Sequence, residues 1–396
     1  MKIAKIFIGD PDNQKGFFNN VIERTIKLSQ NVDNLDCYIL RLRYIGLLDI
    51  FKRQYITSAG DYIEIGGIKF KNLWLDIDLY KYLMSYKFRV NLEINTKLLN
   101  NLADKFSNYD LISCHGVQAI CLARLIHKKY KVPYVATWHG SDINVTPFLS
   151  KKNYSKISDL LENADHNFFV SKKLLDTSND ISKKTSKSVL YTGPSDNFKK
   201  YTAENIKNIK SKYSIRNEIV IGYVGNLVSI KNVLVLPEIF CELQKKINGE
   251  IKFLIIGDGE MYDELKSNLR SKGVKNYTLL GNQNKTEMPN IMNIIDILLL
   301  PSLNEGMPRV VLEAYKCGVH VVGSNRGGIL EAVGEENAFE IDENFISNVV
   351  TRIAYILNKK VQPPILSNKF SWENAINQEL SIYRDIHAKS KNSPYR

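Results

Sequence analysis

No stretch of about 20 uninterrupted apolar residues occurs in this 396-residue chain, which excludes a membrane-spanning helix on hydropathy. Cysteine is sparse. The five residues Cys37, Cys114, Cys121, Cys241 and Cys317 are scattered and odd in number, without metal-ligand spacing. They exclude a disulfide framework and read as buried free thiols in a reducing cytosol. Short-period repeats and low-complexity tracts are missing as well. The opening residues carry only a short apolar run, Ile3 to Ile8, which breaks at once into Gly9-Asp10-Pro11-Asp12. That is a strand entering a loop rather than a secretory leader. Neither a Ser-His-Asp nor a Cys-His spacing stands out.

What is present fits a soluble globular protein: 44% apolar and 24% charged residues. The length suits two domains of roughly 200 residues each. The net charge of +12 is uneven. Residues 1–200 hold 30 Lys+Arg against 20 Asp+Glu, and residues 201–396 hold 24 against 22. The basic first half has two readings. One is a solvated lysine-rich surface; the other is attraction to an anionic partner, either a lipid head group or a phosphorylated acceptor. Nucleic acid is not expected, because the lysines are dispersed and no recognition motif accompanies them.

Apolar strand-like runs alternate with segments of helical spacing in both halves. In the first half the strands are residues 2–8, 37–42, 110–114, 134–137 and 166–170; helical spacing covers 17–29, 92–106, 117–130 and 157–163. The stretch 45–90 is less regular. In the second half the strands are 219–224, 251–256, 277–280, 296–300 and 319–322, separated by helical segments 233–246, 261–272, 287–291 and 308–317. Short apolar strands alternating with helices predict parallel sheets covered on both faces. The fold class is therefore α/β, with two doubly wound, Rossmann-like domains facing a central cleft. The expected division is residues 1–197, residues 198–369, and a C-terminal helical segment 370–396 crossing back to the first domain. In such sheets ligands sit beyond the C-terminal ends of the strands.

Residues 296–333 carry the most information. A strand, Asp296 to Leu300, leads into the loop Pro301-Ser302-Leu303-Asn304-Glu305-Gly306-Met307. Pro308 suits the first position of a helix and Gly318 its C-cap. Glu305 falls in the loop and Glu313 inside the helix. Between them the helix start offers free N–H groups and the positive end of a dipole, suited to a diphosphate. Carboxylates on either side can accept hydrogen bonds from two sugars. Two glutamates eight apart are common by chance, so the spacing alone is equally an ordinary surface loop and helix.

The run Pro301-Ser302-x-x-Glu305-Gly306-x-x-x-Val310-Val311-Leu312-Glu313-Ala314-x-x-Cys317-Gly318-x-x-Val321-Val322-Gly323-x-x-x-Gly327-Gly328-Ile329-x-Glu331 resembles the donor-site signature of the family four retaining glycosyltransferases, of the GT-B fold. The resemblance implies that Glu305 contacts hydroxyls of the donor sugar, that the backbone of Gly306, Met307 and Pro308 meets sugar and phosphate, and that Glu313 binds ribose. His320 stands where the family usually has proline. Gly225-Asn226-Leu227-x-x-x-Lys231-Asn232 resembles the family's Gly-Arg-Leu…Lys-Gly pattern. Lys231 matches and would neutralise the leaving diphosphate; Asn226 replaces the usual arginine and removes one positive charge there. Gly257-Asp258-Gly259 resembles the Gly-x-Gly turn near the nucleotide, and Gln283 lies in the segment whose backbone meets the base, although a plain connecting loop reads nearly as well.

In the first half, Thr137-Trp138-His139-Gly140-Ser141-Asp142 resembles the family's Thr-x-His-Gly motif, and His139 is expected to contact the donor sugar near the reacting carbon. His115 and Asp142 are candidate acceptor contacts, with a structural role for His115 open beside it. Gly16 stands where family members have a glycine-rich loop near phosphate and acceptor. Phe370 and Trp372, around a capping Ser371, read as packing residues. Asp76-Ile77-Asp78 has the form of the metal-binding D-x-D of the other glycosyltransferase fold, but sits among apolar residues.

The expected protein is thus a cytoplasmic retaining hexosyltransferase without metal or cofactor, with peripheral attachment at the inner face of the membrane through its basic first half as a further reading. Its expected partners are a nucleotide-diphosphate sugar and a sugar or lipid-linked acceptor hydroxyl, in cell-surface polysaccharide or glycolipid synthesis. A nucleotide-sugar epimerase of the same fold and a non-catalytic adaptor are the alternatives.

Overall fold

The computed structural model describes residues 1–11, 16–44, 60–77 and 96–392. Helical spacing expected over 92–95, part of the irregular stretch 45–90, Asp12 and Asp78 lie outside these residues. The chain forms two compact units. One comprises Met1–Val170, Leu174–Thr192 and Trp372–Arg396; the other comprises Ser171–Lys173 and Gly193–Ser371.

The first unit is built on eight strands: β1 (Ile3–Ile8), β2 (Leu35–Tyr44), β3 (Tyr62–Ile65), β4 (Ile68–Ile77), β5 (Leu111–His115), β6 (Tyr134–Trp138), β7 (His166–Phe169) and β8 (Lys187–Val189). Their order is β3-β4-β2-β1-β5-β6-β7-β8. All neighbours run parallel except β3, which pairs antiparallel with β4 across the Gly66-Gly67 turn. That hairpin lies in the stretch read as irregular. Its edge strand alternates exposed and half-buried side chains, so it carries no apolar run.

The final helix, Trp372–Lys391, supplies part of this unit's core. Trp372, Ala375, Ile376, Leu380, Tyr383 and Ile386 form one cluster with Ile3, Leu111, Val135 and Phe168 of β1, β5, β6 and β7. Spacing at three and four residues puts these side chains on one stripe of the helix.

The second unit carries six parallel strands: β9 (Ile219–Val224), β10 (Ile251–Ile256), β11 (Tyr277–Gly281), β12 (Ile297–Leu300), β13 (His320–Ser324) and β14 (Ala338–Phe339), in the order β11-β10-β9-β12-β13-β14. The period of two along each strand divides the core into two layers. Val220, Leu254, Ile256, Leu298 and Leu300 pack on one face. Ile221, Tyr223, Phe253, Ile255, Ile297 and Leu299 pack on the other. Continuous apolar runs are what a strand buried on both faces requires.

Candidate functional site

In the second unit, the loops after β9, β10, β12 and β13 are joined by backbone contacts. Gly225 N donates to Ile256 O at 3.0 Å and Leu227 N to Asp258 O at 2.9 Å, which clips the loop after β9 onto the turn Gly257-Asp258-Gly259. The approach is close enough that a Cβ on Gly257 would meet Gly225 O at 1.9 Å, and one on Gly259 would meet Leu227 O at 2.4 Å. Leu303 N donates to Ile230 O at 2.9 Å, tying the loop after β12 to the short 3-10 turn Ser229–Lys231.

That tie brings Lys231 and Glu305 together. Lys231 Nζ lies 2.5 Å from Glu305 Oε1, with both side chains only partly exposed. The fully buried Ser302 donates to the same oxygen at 3.0 Å, and its own carbonyl accepts from Ser324 Oγ at 2.5 Å. Glu305 is thereby aimed by two strands, β12 and β13. Both contacts fall on Oε1, so Oε2 is the oxygen on which a hydroxyl can donate. Behind the loop, Gly328 N donates to Glu305 O at 3.0 Å. A Cβ on Gly327 would sit 2.0 Å from Glu305 O, and one on Gly328 would sit 2.1 Å from Gly306 O. The Gly-Gly pair is the floor on which the Glu305-Gly306 backbone rests.

The helix that follows is Arg309–Cys317, with Pro308 as its N-cap rather than its first residue and Gly318 at the left-handed C-cap. Pro308 is buried and Met307 packs on the core, which leaves their backbone for any ligand contact. Glu313 faces Arg309, one turn back, whose Nη2 is 3.8 Å from Oε1; the same nitrogen donates to Ser195 Oγ at 2.9 Å. Sequence reasoning passed over Arg309, although a cation in the first turn of a helix meant to receive a diphosphate is a legible signal. Asn226 is exposed and its carbonyl accepts from Tyr223 OH at 3.0 Å. Gln283 turns its amide back onto Leu280 O at 2.6 Å, as a loop residue does.

In the first unit the candidates gather at the ends of β5 and β6. His115 is fully buried, and its Nδ1 stands 3.0 Å from His139 Nε2. Phe17, next to Gly16, sets its ring edge-on to His139 with centroids 4.7 Å apart. A Cβ on Gly16 would meet nothing within 4 Å, so this glycine is no packing necessity. Asp142 is buried, and its carboxylate accepts from His139 N at 2.9 Å and Gly140 N at 2.7 Å. An acceptor contact would have to compete with those bonds; the geometry makes Asp142 the staple of the His139 loop.

Behind the two histidines lies a charge cluster that sequence reasoning missed. Glu379 of the final helix is fully buried, 3.1 Å from Lys5 Nζ of β1 and 2.7 Å from Arg24 Nε of the helix Gly16–Ser29. Tyr383 OH donates to Glu379 and contacts Ser113 Oγ, two residues before His115 on β5. Burial alone would raise the Glu379 carboxyl, but the charges of Arg24 and Lys5 outweigh it and hold it at about 2. Burial, with Arg24 and Lys5 adding, holds His139 down at about 3 and lowers His115 well below the usual histidine range. Both rings are therefore neutral near pH 7.

Asp76, of the D-x-D look-alike, forms a two-pronged pair with Arg43 at 2.7 and 3.0 Å. Among the described residues no cluster of His, Cys, Asp or Glu has the makings of a metal site.

Two doubly wound sheets, parallel but for the edge strand β3, with charged and glycine-bearing loops at the C-terminal strand ends, form the GT-B fold. Residues 205–374 match the family model described as glycosyl transferases group 1. The putative teichuronic acid biosynthesis glycosyltransferase TuaC of Bacillus subtilis is 30% identical over 228 residues, 57% of this chain and 56% of that protein. An uncharacterized glycosyltransferase of Methanocaldococcus jannaschii is 24% identical over 310 residues, covering 76% of this chain and 82% of the relative. The match thus spans little more than half the length of the first relative. The crystal structure of the Anabaena protein HepE in complex with UDP superposes with a TM-score of 0.71 at 17% identity, covering 99% of this chain and 100% of that one. The segment 205–374, less than half of the chain, is thus similar to the group 1 glycosyltransferases.

Proposed function

We propose that this protein transfers a hexose from a nucleotide-diphosphate sugar to an acceptor hydroxyl with retention of anomeric configuration and without a metal ion. The observation that carries this reading is the Lys231–Glu305 pair, 2.5 Å apart beside the start of the helix Arg309–Cys317. With donor bound, Lys231 and the helix N–H groups meet the diphosphate, while Glu305 Oε2 accepts from the sugar hydroxyls. The bond from the anomeric carbon to the phosphate oxygen breaks, and its electron pair leaves with the diphosphate. The acceptor oxygen bonds to the same face of that carbon, and its proton passes to the departing phosphate oxygen. Lys231 stabilises the charge that develops on the leaving group. His139 and Glu305 orient the sugar, and Glu313 holds the ribose.

The name of TuaC and the UDP of the HepE crystal support a nucleotide-sugar donor and a cell-surface polymer as the product class. No described helix is long and apolar enough to cross a membrane. A cytoplasmic protein meeting a sugar or lipid-linked acceptor at the inner face of the membrane fits that reading.

A thermal-shift screen of nucleotide-diphosphate sugars in chelator tests it. A ligand that binds only the folded state raises the midpoint. At least one donor should do so, and should lose the effect in Glu305→Ala. A panel in which none shifts the midpoint would refute the reading.

A further inference from the structure

β9 reads Ile219-Val220-Ile221-Gly222-Tyr223-Val224, an apolar run with a single hydroxyl in it. Tyr223 is fully buried, in register with Ile255 of β10 and Leu299 of β12, and packs with Ile221, Leu227 and Val233 on one face of the sheet. A phenylalanine would fill that core equally well. The hydroxyl is a further group, and its burial is unfavourable unless it is hydrogen-bonded.

Its bond runs into the loop that follows the strand. Tyr223 OH donates to Asn226 O at 3.0 Å. A Cβ on Gly225 would meet the same hydroxyl at 2.8 Å, so the phenol tip sits directly against the first loop residue. Burial first, and the negative charge of Glu305 second, push the phenol far above its usual range. The hydroxyl therefore stays protonated, and it lies within the field of the Glu305 carboxylate.

Three further backbone groups of the loop are paired. Gly225 N donates to Ile256 O at 3.0 Å, Leu227 N donates to Asp258 O at 2.9 Å, and Leu227 O accepts from Met261 N at 2.9 Å. With its carbonyl held by Tyr223, Asn226 keeps its N–H and its exposed side-chain amide for a ligand; among the described residues neither has a hydrogen-bond partner.

Asn226 stands where the family it resembles has arginine. An arginine is a long cation that can reach a phosphate from a mobile backbone. An asparagine is uncharged and short, so its reach is set by where the backbone is fixed, and its contribution depends on being held in place beforehand.

We propose that Tyr223 is a positioning residue for the nucleotide-sugar: through the Asn226 carbonyl it fixes residues 225–227, so that the Asn226 side-chain amide donates to the diphosphate beside Lys231 where a guanidinium would otherwise do so. This rests on the donor reading above.

Calorimetric titration of the full chain in chelator with uridine, guanosine, adenosine, cytidine and thymidine diphosphates tests it. The wild-type protein should bind at least one of them. Tyr223→Phe, with circular dichroism and urea midpoint close to wild type, should bind that nucleotide about tenfold more weakly. Asn226→Ala, an exposed substitution that leaves the core intact, should weaken it as well. Tyr223→Phe made together with Asn226→Arg should lose less than about threefold relative to Asn226→Arg alone, because the longer cation no longer depends on the loop position. A tyrosine that only supports the fold would show no such rescue. Either single variant binding as tightly as wild type would overturn the proposal, and so would an equal loss from Tyr223→Phe with and without Asn226→Arg. Wild-type protein that binds none of the five nucleotides would overturn the donor reading itself, and the proposal with it.

Discussion

His115 Nδ1 stands 3.0 Å from His139 Nε2, and the other ring nitrogen of His115, Nε2, is buried without a partner. The single shared bond leaves two arrangements. If His139 donated, His115 would carry its proton on an orphaned buried Nε2–H, and buried N–H groups are the polar atoms least often left unpaired. If His115 donates from Nδ1, only a lone pair is orphaned. The second arrangement puts the proton of His139 on its Nδ1. Two-bond nitrogen–proton correlation spectra should show His139 as the Nδ1–H tautomer. His115→Phe should shift it toward the ordinary Nε2–H form, and His115→Asn, whose amide can donate, should hold it. A wild-type His139 protonated on Nε2 would contradict the assignment.

Glu379 balances two buried cations, so removing it is costlier than its own contacts suggest. Glu379→Ala leaves Lys5 and Arg24 buried and unneutralised and should destabilise the first unit by about 3–5 kcal/mol. Replacing all three by apolar residues of similar volume should cost far less. Urea unfolding of both variants checks this; a loss below about 1 kcal/mol in Glu379→Ala would mean the charges are hydrated.

Stability should fall with acid in two stages. His139 and His166 are held at about 3 and about 4, in both cases chiefly by burial, against an ordinary 6.5. The unfolded chain therefore binds protons from about pH 6.5 downward while the folded chain does not. This contribution is complete above pH 6.5 and is lost as the pH falls toward those values, at up to about 1.4 kcal/mol per pH unit for each histidine. Glu379, held at about 2 against 4.5, adds a second loss that begins only near pH 4.5. Urea midpoints measured from about pH 8 to about pH 4 should start to drop near pH 6.5. A curve flat down to pH 5 would contradict the buried, neutral histidines.

Gly327 adopts a left-handed conformation, φ 58°, and lies against Glu305 O. A methyl group there must displace the loop that carries Glu305. Gly327→Ala should weaken donor binding by at least about tenfold with a stability loss of about 1–3 kcal/mol. Calorimetric titration of a donor found in the screen measures the first and thermal unfolding the second. Donor affinity equal to wild type would show that the loop does not hold the ligand.

The parallel strands were legible because a strand buried on both faces is a continuous apolar run; Phe253–Ile256 and Ile297–Leu300 are examples. The hairpin Tyr62–Ile65 and Ile68–Ile77 was not, since its edge strand faces water on alternate residues. The helix Ala203–Lys212 was not legible either, because its only buried side chain is Ile209. In the site, glycines and charges at strand ends could be read from spacing and resemblance, but the joining of Lys231 to Glu305 depends on a backbone bond between Leu303 and Ile230 that no motif encodes. The buried triad left a signal that went unread: Lys5 interrupts the apolar run of β1, and Glu379 falls on the apolar stripe of the final helix between Ile376 and Tyr383.

The most direct measurement is the release of nucleoside diphosphate from the donor chosen by the thermal-shift screen, followed in chelator for wild type, Lys231→Ala and Glu305→Ala. The wild-type protein should release it, with slow hydrolysis replacing transfer when no acceptor is supplied, and each substitution should lower the rate about 10²–10³-fold while the fold persists. Release at the wild-type rate by both variants would contradict the proposal that this pair holds the donor and stabilises its departing diphosphate.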